Sequence, residues 1–322
     1  MLWFLARRLA AAALLLLLVL SAVFFLLHAA PGDPADLLIE ERLTRAERER
    51  LRALWGLDRP PAEQYAAWLA AVALRGDWGT SLLHRRPVRQ VVAEALPGTL
   101  LLAGAAFLVD AVVGLALGVT AARRRGRAAD HLIRAGSLLL FSLPSFWLGL
   151  MAILLFSHVW PVLPAGHLRS VGAEALPAPG RLLDLARHLV LPSLVLGLWL
   201  AGATARFVRN GLLEVLGQDY VRTARSLGVS ERRVLWVHAL RNAAVPVVQI
   251  LAVTLPGLLS GSLVTEVVFS LPGVGRTLFD AVLTRDYPLV LGVTAFSAAV
   301  VIAGNLAADL AHGALDPKVR DA

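Results

Sequence analysis

The segment "LAAAALLLLLVLSAVFFLL", residues 9–27, decides the fold class of this protein. It contains no charged residue and is close to the length of about 20 apolar residues that an α-helix needs to cross a bilayer. Arg7 and Arg8 precede it, a combination that also occurs in secretory signal peptides. The apolar region of a signal peptide is, however, only about 7–15 residues long. We therefore predict that this segment is an uncleaved first membrane helix.

Five further apolar segments follow along the chain. We predict membrane spans at 97–121, 133–160, 188–208, 243–269 and 289–311. The composition agrees, because 57% of the residues are hydrophobic and 17% are charged, whereas soluble domains carry about 25% charged residues. The sequence thus predicts an all-α, polytopic membrane protein with six transmembrane helices. It divides into a first helix at 1–27, a helical insert at 28–96 and a core of five helices at 97–322.

Arginine residues predict the orientation of these helices. The short loop between spans 2 and 3 reads "RRRGR", residues 123–127, and seven arginines lie between residues 206 and 241. Loops on the cytoplasmic side of a membrane are enriched in Lys and Arg. With both loops in the cytoplasm, both termini are cytoplasmic as well, and the insert at 28–96 lies outside.

The insert contains two predicted amphipathic helices. Thr44 and Glu47 have the spacing of a capping box, and Gly56 is placed to end the first helix. The second helix covers "PPAEQYAAWLAAVALRG", residues 60–76, and is opened by prolines. The insert either forms a small helical cap on the outer ends of the spans or offers a docking platform to an external partner.

The composition also excludes several kinds of chemistry. The chain has no cysteine, which removes disulfides, thiolate chemistry and Cys-ligated metals. Its one lysine, Lys318, has no glycine run before it, so the chain contains no phosphate-binding P-loop. The eight histidines are scattered, without an H-E-x-x-H pattern. We expect no cofactor, metal or catalytic residue in this chain; if ATP drives its activity, a separate polypeptide binds the nucleotide.

Polar features interrupt three of the predicted spans. Asp110 lies in the middle of span 2, and Glu266 lies toward the outer end of span 5. Ionisable groups inside a membrane are costly and indicate function by default. Glu266 either faces a hydrophilic pathway or is held by partners between helices. In span 3, Pro144 is placed to kink the helix, and Ser142 and Ser145 are available to the freed carbonyl groups.

The segment "GQDYVRTARSLGVSERRVLWVHALRNA", residues 217–243, is basic and hydrophilic, unlike the rest of the chain. Tyr220, Ala224 and Leu227 share one face of a predicted short helix. Gly228 is suited to the left-handed turn that ends such a helix. The sequence therefore predicts a helix, a tight turn and a second helix within the loop 209–241.

Three interpretations of this loop compete. Ser230 is placed to cap the second helix, which gives a helix–turn–helix that could bind DNA. Both ends of the loop are tethered to membrane spans, however, and this restricts access to a DNA groove. An amphipathic helix could instead lie on anionic lipid headgroups. The third interpretation is a docking element for a cytoplasmic protein.

The loop resembles the "EAA" loop of ATP-binding-cassette importer permeases, whose pattern is E-A-A, three residues, G, nine residues and I-x-L-P. Aligned without gaps, E-A-A falls on Arg222, Thr223 and Ala224, the glycine falls on Gly228, and I-x-L-P falls on residues 238–241. Only Ala224, Gly228 and Leu240 agree with the general pattern. The departures are similar to those of the dipeptide/oligopeptide branch, which also includes nickel permeases.

The same branch resembles the chain along nearly its whole length. The segments that carry the resemblance, in the order of that branch, are "HAAPGDPAD", "LWGLDRPPAEQYAAWL", "RGDWGTS", "LPGTLLL", "SLPSFWLGL", "TEVVFSLPGVGRTLFDAV", "RDYPLV" and "ALDPKVR". The segment "VWPVLPAGHLRSVG" after span 3 departs from it. This resemblance implies a type I importer permease fold in a bacterial inner membrane.

The resemblance also implies partners. Two six-span permeases, expected to be a heterodimer, would assemble with one or two cytoplasmic ATPases that bind ATP and Mg²⁺, and with a periplasmic solute-binding protein. The loop would form a coupling helix in a cleft of the ATPase. The residues expected to make this contact are Asp219, Tyr220, Val221, Arg222, Thr223, Ala224, Arg225, Gly228, Val229 and Ser230. The chain itself would do no covalent chemistry and bind no nucleic acid.

The expected function is import of dipeptides or oligopeptides along a pathway between the two permeases. The residues predicted to lie along this pathway are Ser142, Pro144, Ser145, Phe146, Glu266 and Asp110. Import of nickel or of a metal chelate by the same fold is the main alternative, although no His-rich or thioether cluster favours it. A secondary transporter driven by protons or sodium would use Asp110 and Glu266, but such folds usually show internal repeats, and none is visible here. A membrane-embedded enzyme is the remaining alternative.

Overall fold

The structure of the protein, a computed structural model, describes residues 2–29, 58–234, 250–252, 254–260 and 262–315, and most of these residues are helical. The helices are α1 (Leu2–Ala29), α2 (Pro61–Arg75), α3 (Val88–Arg123), α4 (Ala128–Ser142), α5 (Ser145–Ile153), α6 (Ala178–Leu216), α7 (Asp219–Ser226), α8 (Leu263–Val268), α9 (Val274–Leu283) and α10 (Tyr287–Leu315). A π-helical turn at Leu154–Val159 extends α5, and shorter helical turns lie at Ala173–Ala175 and Glu231–Arg233. The all-α prediction is confirmed.

Within the described residues, four helices are long and apolar enough to cross a membrane: Arg7–Ala29, Val88–Arg123, Ala178–Leu216 and Tyr287–Ala307. They correspond to predicted spans 1, 2, 4 and 6. Predicted span 3 corresponds to α4 and α5, which meet at an angle of 97°. Predicted span 5, at 243–269, lies partly outside the described residues; its described part is helical at 250–252, at 254–259 and in α8.

The long helices extend well beyond their predicted apolar segments. The 36 residues of α3 and the 39 residues of α6 correspond to lengths of about 54 and 58 Å at 1.5 Å per residue. The hydrocarbon core of a bilayer is only about 30 Å thick. Each helix therefore continues beyond the apolar segment that hydropathy located; the start of α3, for example, packs Val88, Val91 and Val92 into a buried apolar cluster.

The bundle has two ends, which we name by what lies there. The end where α3 stops, α4 starts and α6 passes into α7 is the α7 end. The end that carries Trp78, the segment 160–177 and the α8–α9 connection is the Trp78 end.

The centre of the fold is the close pairing of α3 with α6. A Cβ atom on Gly118 of α3 would lie 2.5 Å from Cβ of Val208, and one on Gly197 of α6 would lie 2.6 Å from Cβ of Val109. Small residues of this kind let membrane helices approach closely, because van der Waals contact rather than water exclusion holds them together. Toward the α7 end, a buried apolar cluster of Val119, Ala122, Val208 and Leu212 completes the contact.

The helix predicted at residues 60–76 is confirmed as α2, which ends at Gly76 in the left-handed conformation (φ 61°). It lies on α1, where the Tyr65 and Ser21 hydroxyls are 2.7 Å apart and a His28 ring nitrogen is 3.2 Å from the Gln64 amide oxygen. The helix predicted to start near Thr44 and end at Gly56 falls outside the described residues.

Candidate functional site

The described part of the predicted loop, as far as residue 234, has the local geometry expected from its sequence, and the rest of the predicted second helix lies outside the described residues. Helix α7 ends at Ser226, and Gly228 takes the left-handed conformation with φ 78°. The Gly228 amide donates to the Arg225 carbonyl at 3.0 Å, and the Val229 amide donates to the Ala224 carbonyl at 3.1 Å. These bonds satisfy carbonyl groups that the end of a helix would otherwise leave free.

One detail of this turn differs from the prediction. Ser230 occupies the position before the turn Glu231–Arg233, but its hydroxyl makes no capping hydrogen bond. Only its carbonyl group takes part, as the acceptor of the Val234 amide at 2.9 Å. Glu231 is instead held by Arg225, whose Nε and Nη2 atoms donate to the two Glu231 carboxylate oxygens at 2.7 and 3.3 Å. This contact lowers the pKa of Glu231.

The structure also shows which side of α7 is turned inward. Val221 is fully buried, whereas Tyr220 is 43% and Leu227 is 78% exposed. Ala224 lies between these extremes. The residue that fixes α7 to the rest of the chain is therefore Val221, which the predicted apolar face did not include. That predicted face points outward.

The charged side chains of α7 lie at its surface and beside a cavity. Arg222 contacts Asp219 at 3.2 Å, and both side chains are exposed. Arg225 and Glu231 line a cavity of about 450 Å³ between the end of α3 and the α6–α7 connection. The residues 238–241, which align with the last part of the importer pattern, lie outside the described residues.

The second candidate region is the break between α4 and α5. Leu143 is extended (φ −83°, ψ 136°), as residues before proline tend to be. Pro144 then precedes α5, and its carbonyl accepts the Leu148 amide at 3.1 Å. The Ser142 hydroxyl donates to the Leu138 carbonyl at 2.8 Å, which lies one turn back within α4 and is not the carbonyl that Pro144 leaves free. The predicted kink is a sharp turn of 97°, because α5 starts as a new helix.

A cavity of about 400 Å³ lies beside this break. Four hydroxyl-bearing side chains and several apolar ones line it, among them Ser145, Thr254, Ser262, Thr265, Trp199 and Leu258. Of the predicted pathway residues, Ser145 lines the cavity. Ser142, Pro144 and Phe146 are exposed on the surface of the same break.

Glu266 is fully buried and does not line this cavity, although its neighbour Thr265 does. Its carboxylate accepts hydrogen bonds from the Thr99 hydroxyl at 2.9 Å, from the Arg276 amide at 2.9 Å and from the Ser262 amide at 3.3 Å. The Thr99 oxygen in turn accepts the Val274 amide at 2.8 Å. Of the two interpretations of Glu266, this geometry is that of a carboxylate held by partners between helices.

Asp110 is also fully buried, on the face of α3 that packs against α6. The Thr204 side chain lies beside it, yet neither carboxylate oxygen of Asp110 has a hydrogen-bond partner in the described part of the chain. Asp110 is not among the residues that line either cavity. The predicted pathway residues are therefore not gathered at one place.

Sequence reasoning missed several polar residues that organise the structure. Asp286 lies at the start of α10, where it accepts the Leu289 amide at 3.2 Å, the Leu83 amide at 3.1 Å and the Ser81 hydroxyl at 2.5 Å. It thus joins the segments "RGDWGTS" and "RDYPLV". Asp130 is paired with Arg209. The sequence offered one signal for these contacts, the fixed order of its motifs. The order of motifs along the chain does not, however, predict which of them contact each other in the fold.

The fold defines the class of this protein. It is similar to that of a chain in an inward-facing structure of the MetNI methionine ABC transporter, with a TM-score of 0.52 and 20% identity, covering 71% of this chain and 97% of that one. Its apolar helices and this likeness define a multi-pass membrane protein with the fold of an ABC transporter chain.

Sequence comparison shows the family. Residues 114–321 match the binding-protein-dependent transport system inner membrane component, and residues 1–103 match the N-terminal model of the same system. The chain belongs to this family of permeases. It is 36% identical to the oligopeptide transport system permease protein AppB of Bacillus subtilis, over 92% of both chains. It is also 36% identical to the dipeptide permease DppB of Escherichia coli and 38% identical to the di/tripeptide permease DppB of Pseudomonas aeruginosa, over 99% of each chain.

Proposed function

We propose that this chain is one of two permease subunits of an importer that carries dipeptides and oligopeptides across a bacterial inner membrane. The observation that carries the proposal is the likeness to oligopeptide, dipeptide and di/tripeptide permeases over 92–99% of the chain. In this assembly a periplasmic solute-binding protein delivers the peptide and separate ATPase chains bind ATP and Mg²⁺.

Helix α7 is the proposed contact with the ATPase. It is short and basic, and its exposed Tyr220 and Leu227 form an apolar surface beside Arg222. Interfaces of this kind gain affinity from a few aromatic and arginine anchors, while the charges orient the partner. Buried Val221 connects the docked helix to the bundle, so that closure of the ATPases displaces it as a rigid element.

The cavity beside the α4–α5 break is the proposed start of the pathway within this subunit. Its hydroxyl groups at Ser145, Thr254, Ser262 and Thr265 can exchange hydrogen bonds with the amide groups of a peptide, which every peptide carries. The apolar remainder of the lining suits side chains of varied shape. Such a surface passes peptides with little regard to their sequence, and selection is left to the binding protein.

The α7 end faces the cytoplasm in this proposal, and both termini lie on the same side. The arginines of the α3–α4 connection and of α7 support it, because cytoplasmic loops are enriched in Lys and Arg. The insert then lies in the periplasm.

The proposal is tested by reconstituting the full complex in liposomes with a labelled dipeptide, the binding protein and ATP. We expect uptake that requires ATP hydrolysis and that unlabelled peptides compete for. Uptake that persists without ATP hydrolysis and collapses with the ion gradient contradicts an ATP-driven importer. Competition by nickel chelates but not by peptides contradicts the peptide cargo.

A further inference from the structure

Asp130 and Arg209 form a buried, two-point ion pair between α4 and α6. The Arg209 Nε atom donates to Oδ1 of Asp130 at 2.7 Å, and Nη2 donates to Oδ2 at 2.8 Å. The Gly126 amide donates to the same Oδ2 at 3.0 Å. Asp130 is 1% exposed, and the Arg209 side chain is 15% exposed. Two parallel bonds fix the relative orientation of the two side chains in addition to the attraction of their charges.

The position of this pair connects the two candidate regions. Arg209 lies two turns before the end of α6, and the chain passes from there through Gly217 and Gln218 into α7. Asp130 lies in the first turn of α4. Helix α4 leads without interruption to the break whose far side, Ser145, lines the cavity. The pair therefore joins the helix that carries α7 to the helix that carries the break.

Further contacts between α4 and α6 involve aromatic rings and backbone, and the Arg206 guanidinium lies 5.3 Å from the centroid of the Phe141 ring. The Phe141 ring stacks on Trp199, with centroids 5.4 Å apart and planes 18° apart. A Cβ atom on Gly202 would lie 3.1 Å from the Ser137 carbonyl oxygen, so the two backbones nearly touch there. Apolar and backbone contacts of this kind let helices slide by small steps. A two-point ion pair does not allow this, because its hydrogen bonds fit at only one register.

We propose that Asp130 and Arg209 are positioning residues of the transport cycle, which transmit the displacement of α7 to the α4–α5 break. This inference rests on the function proposed above, in which α7 is moved by an ATPase and the break borders the pathway. The pair touches neither the ATPase nor the cargo in this role. Buried ion pairs contribute little net stability compared with apolar packing, but they can specify a single arrangement, which a rigid link between two helices requires.

The test compares peptide uptake with ATP hydrolysis in the reconstituted complex. We expect Asp130→Asn to keep ATP hydrolysis near the wild-type rate while peptide uptake per ATP falls by about tenfold or more, since the charge-assisted bonds are lost. The double variant that exchanges the two residues, Asp130→Arg with Arg209→Asp, is expected to regain part of the wild-type peptide uptake per ATP. Glu94→Gln is the matched control, because Glu94 pairs with Arg86 by two hydrogen bonds that are exposed and lie at the Trp78 end; it should leave the ratio unchanged.

A second readout follows the break directly. The chain has no native cysteine, so Ser145→Cys provides a single thiol on it. Its rate of labelling should change when ATP and vanadate are added to the otherwise wild-type complex, and should no longer change when Asp130→Asn is present. If Asp130→Asn does not accumulate in membranes, Asp130→Glu is measured in its place, because it keeps the charge but displaces it, and the same loss is expected.

The outcomes separate the two proposals. A wild-type complex that takes up no peptide with ATP contradicts the proposed function. A wild-type complex that is active, with variants that keep the normal uptake per ATP and the normal labelling response, contradicts the positioning role alone. Equal losses of ATP hydrolysis and uptake, with an unchanged labelling response, would show that the pair only supports the fold, and this too overturns the inference.

Discussion

At the scale of single residues, Glu266 is the clearest case of a buried charge with a structural role in this chain. Its carboxylate accepts three hydrogen bonds, from Thr99, Arg276 and Ser262. We expect Glu266→Ala to lower the free energy of unfolding by about 3–5 kcal/mol, because it leaves buried donors without acceptors. Glu266→Gln should cost less, since one acceptor oxygen remains. Thermal unfolding of the detergent-purified protein measures both, with Glu63→Gln on the exposed face of α2 as the control.

Gly98 allows α3 to touch the segment that Glu266 organises. A Cβ atom at Gly98 would lie 1.9 Å from the Pro272 carbonyl oxygen. Backbone cannot move aside as a side chain does, so we expect Gly98→Ala to destabilise the protein by about 1–3 kcal/mol. Gly104→Ala on the same helix is the control: nothing lies within 4 Å of its added atom, and alanine is a better helix former by about 0.5–1 kcal/mol. Equal melting temperatures for the two variants would contradict the contact.

At the scale of elements, α7 and its turn form a unit whose shape depends on Gly228. Its φ of 78° is unfavourable for a residue with a side chain, although a Cβ atom there would meet nothing within 4 Å. We expect Gly228→Val to strain the turn by about 1–2 kcal/mol and to weaken ATPase binding and uptake together. Gly228→Asn should be tolerated, since asparagine enters this conformation more readily.

Co-purification of the ATPase with each variant measures this effect. Gly76→Val is the control, because Gly76 has a similar φ of 61° and open space around it, but it ends α2, away from α7. An ATPase that co-purifies equally with Gly228→Val and with the wild type would show that the turn does not position the docking surface. Ala224→Glu, which adds a charge to the outward face of α7, is expected to weaken the same contact.

The ion pair between Arg225 and Glu231 sets a pH dependence for the same element. The hydrogen bond from Arg225 lowers the pKa of Glu231 below its ordinary value of 4.5. Because the pKa of Glu231 is lower in the folded protein, the ion pair contributes its full stabilisation at pH values above 4.5. This stabilisation is lost as the pH falls through the lowered pKa of the folded protein. We therefore expect the ratio of ATPase bound by Glu231→Gln and by the wild type to stay constant from about pH 6 to pH 8. The same ratio, followed to lower pH, should change only below the ordinary value of 4.5, and a change that begins above that value would mean that Arg225 does not hold Glu231 in solution.

At the scale of the whole molecule, the two ends of the bundle must lie on opposite sides of the membrane. The absence of cysteine makes this simple to test with single-cysteine variants and a membrane-impermeant maleimide. Val171→Cys at the Trp78 end is fully exposed and should be labelled from the periplasmic side in intact cells. Ala128→Cys, exposed at the α7 end, should be labelled only after the inner membrane is permeabilised. The reverse pattern would overturn the proposed orientation.

The whole molecule also shows which motifs of the sequence meet. "LPGTLLL" and "TEVVFSLPGVGRTLFDAV" come together through Thr99, Glu266 and the close contact of Gly98 with Pro272. "RGDWGTS" and "RDYPLV" come together through Asp286. Both junctions lie at the Trp78 end, where they fix short, irregular segments to the long helices.

The sequence by itself determined the class of fold, because crossing a bilayer requires long apolar helices and leaves few other solutions. It also determined α2 and the helix and turn around Gly228, whose signals are local: prolines at a helix start and a glycine at its end. It could not determine that α4 and α5 meet at 97°, since proline predicts a disturbance but not its angle.

Only the tertiary structure decided which polar residues are held and which are exposed. The inward side of α7 proved to be Val221, because the neighbouring end of α6 and not the periodicity of a short helix chooses the buried face. Glu266 gained partners from α3, from the first turn of α9 and from the residue before α8, and Asp130 found Arg209 79 residues away. Such contacts depend on distances between helices, which a pattern along one chain does not contain.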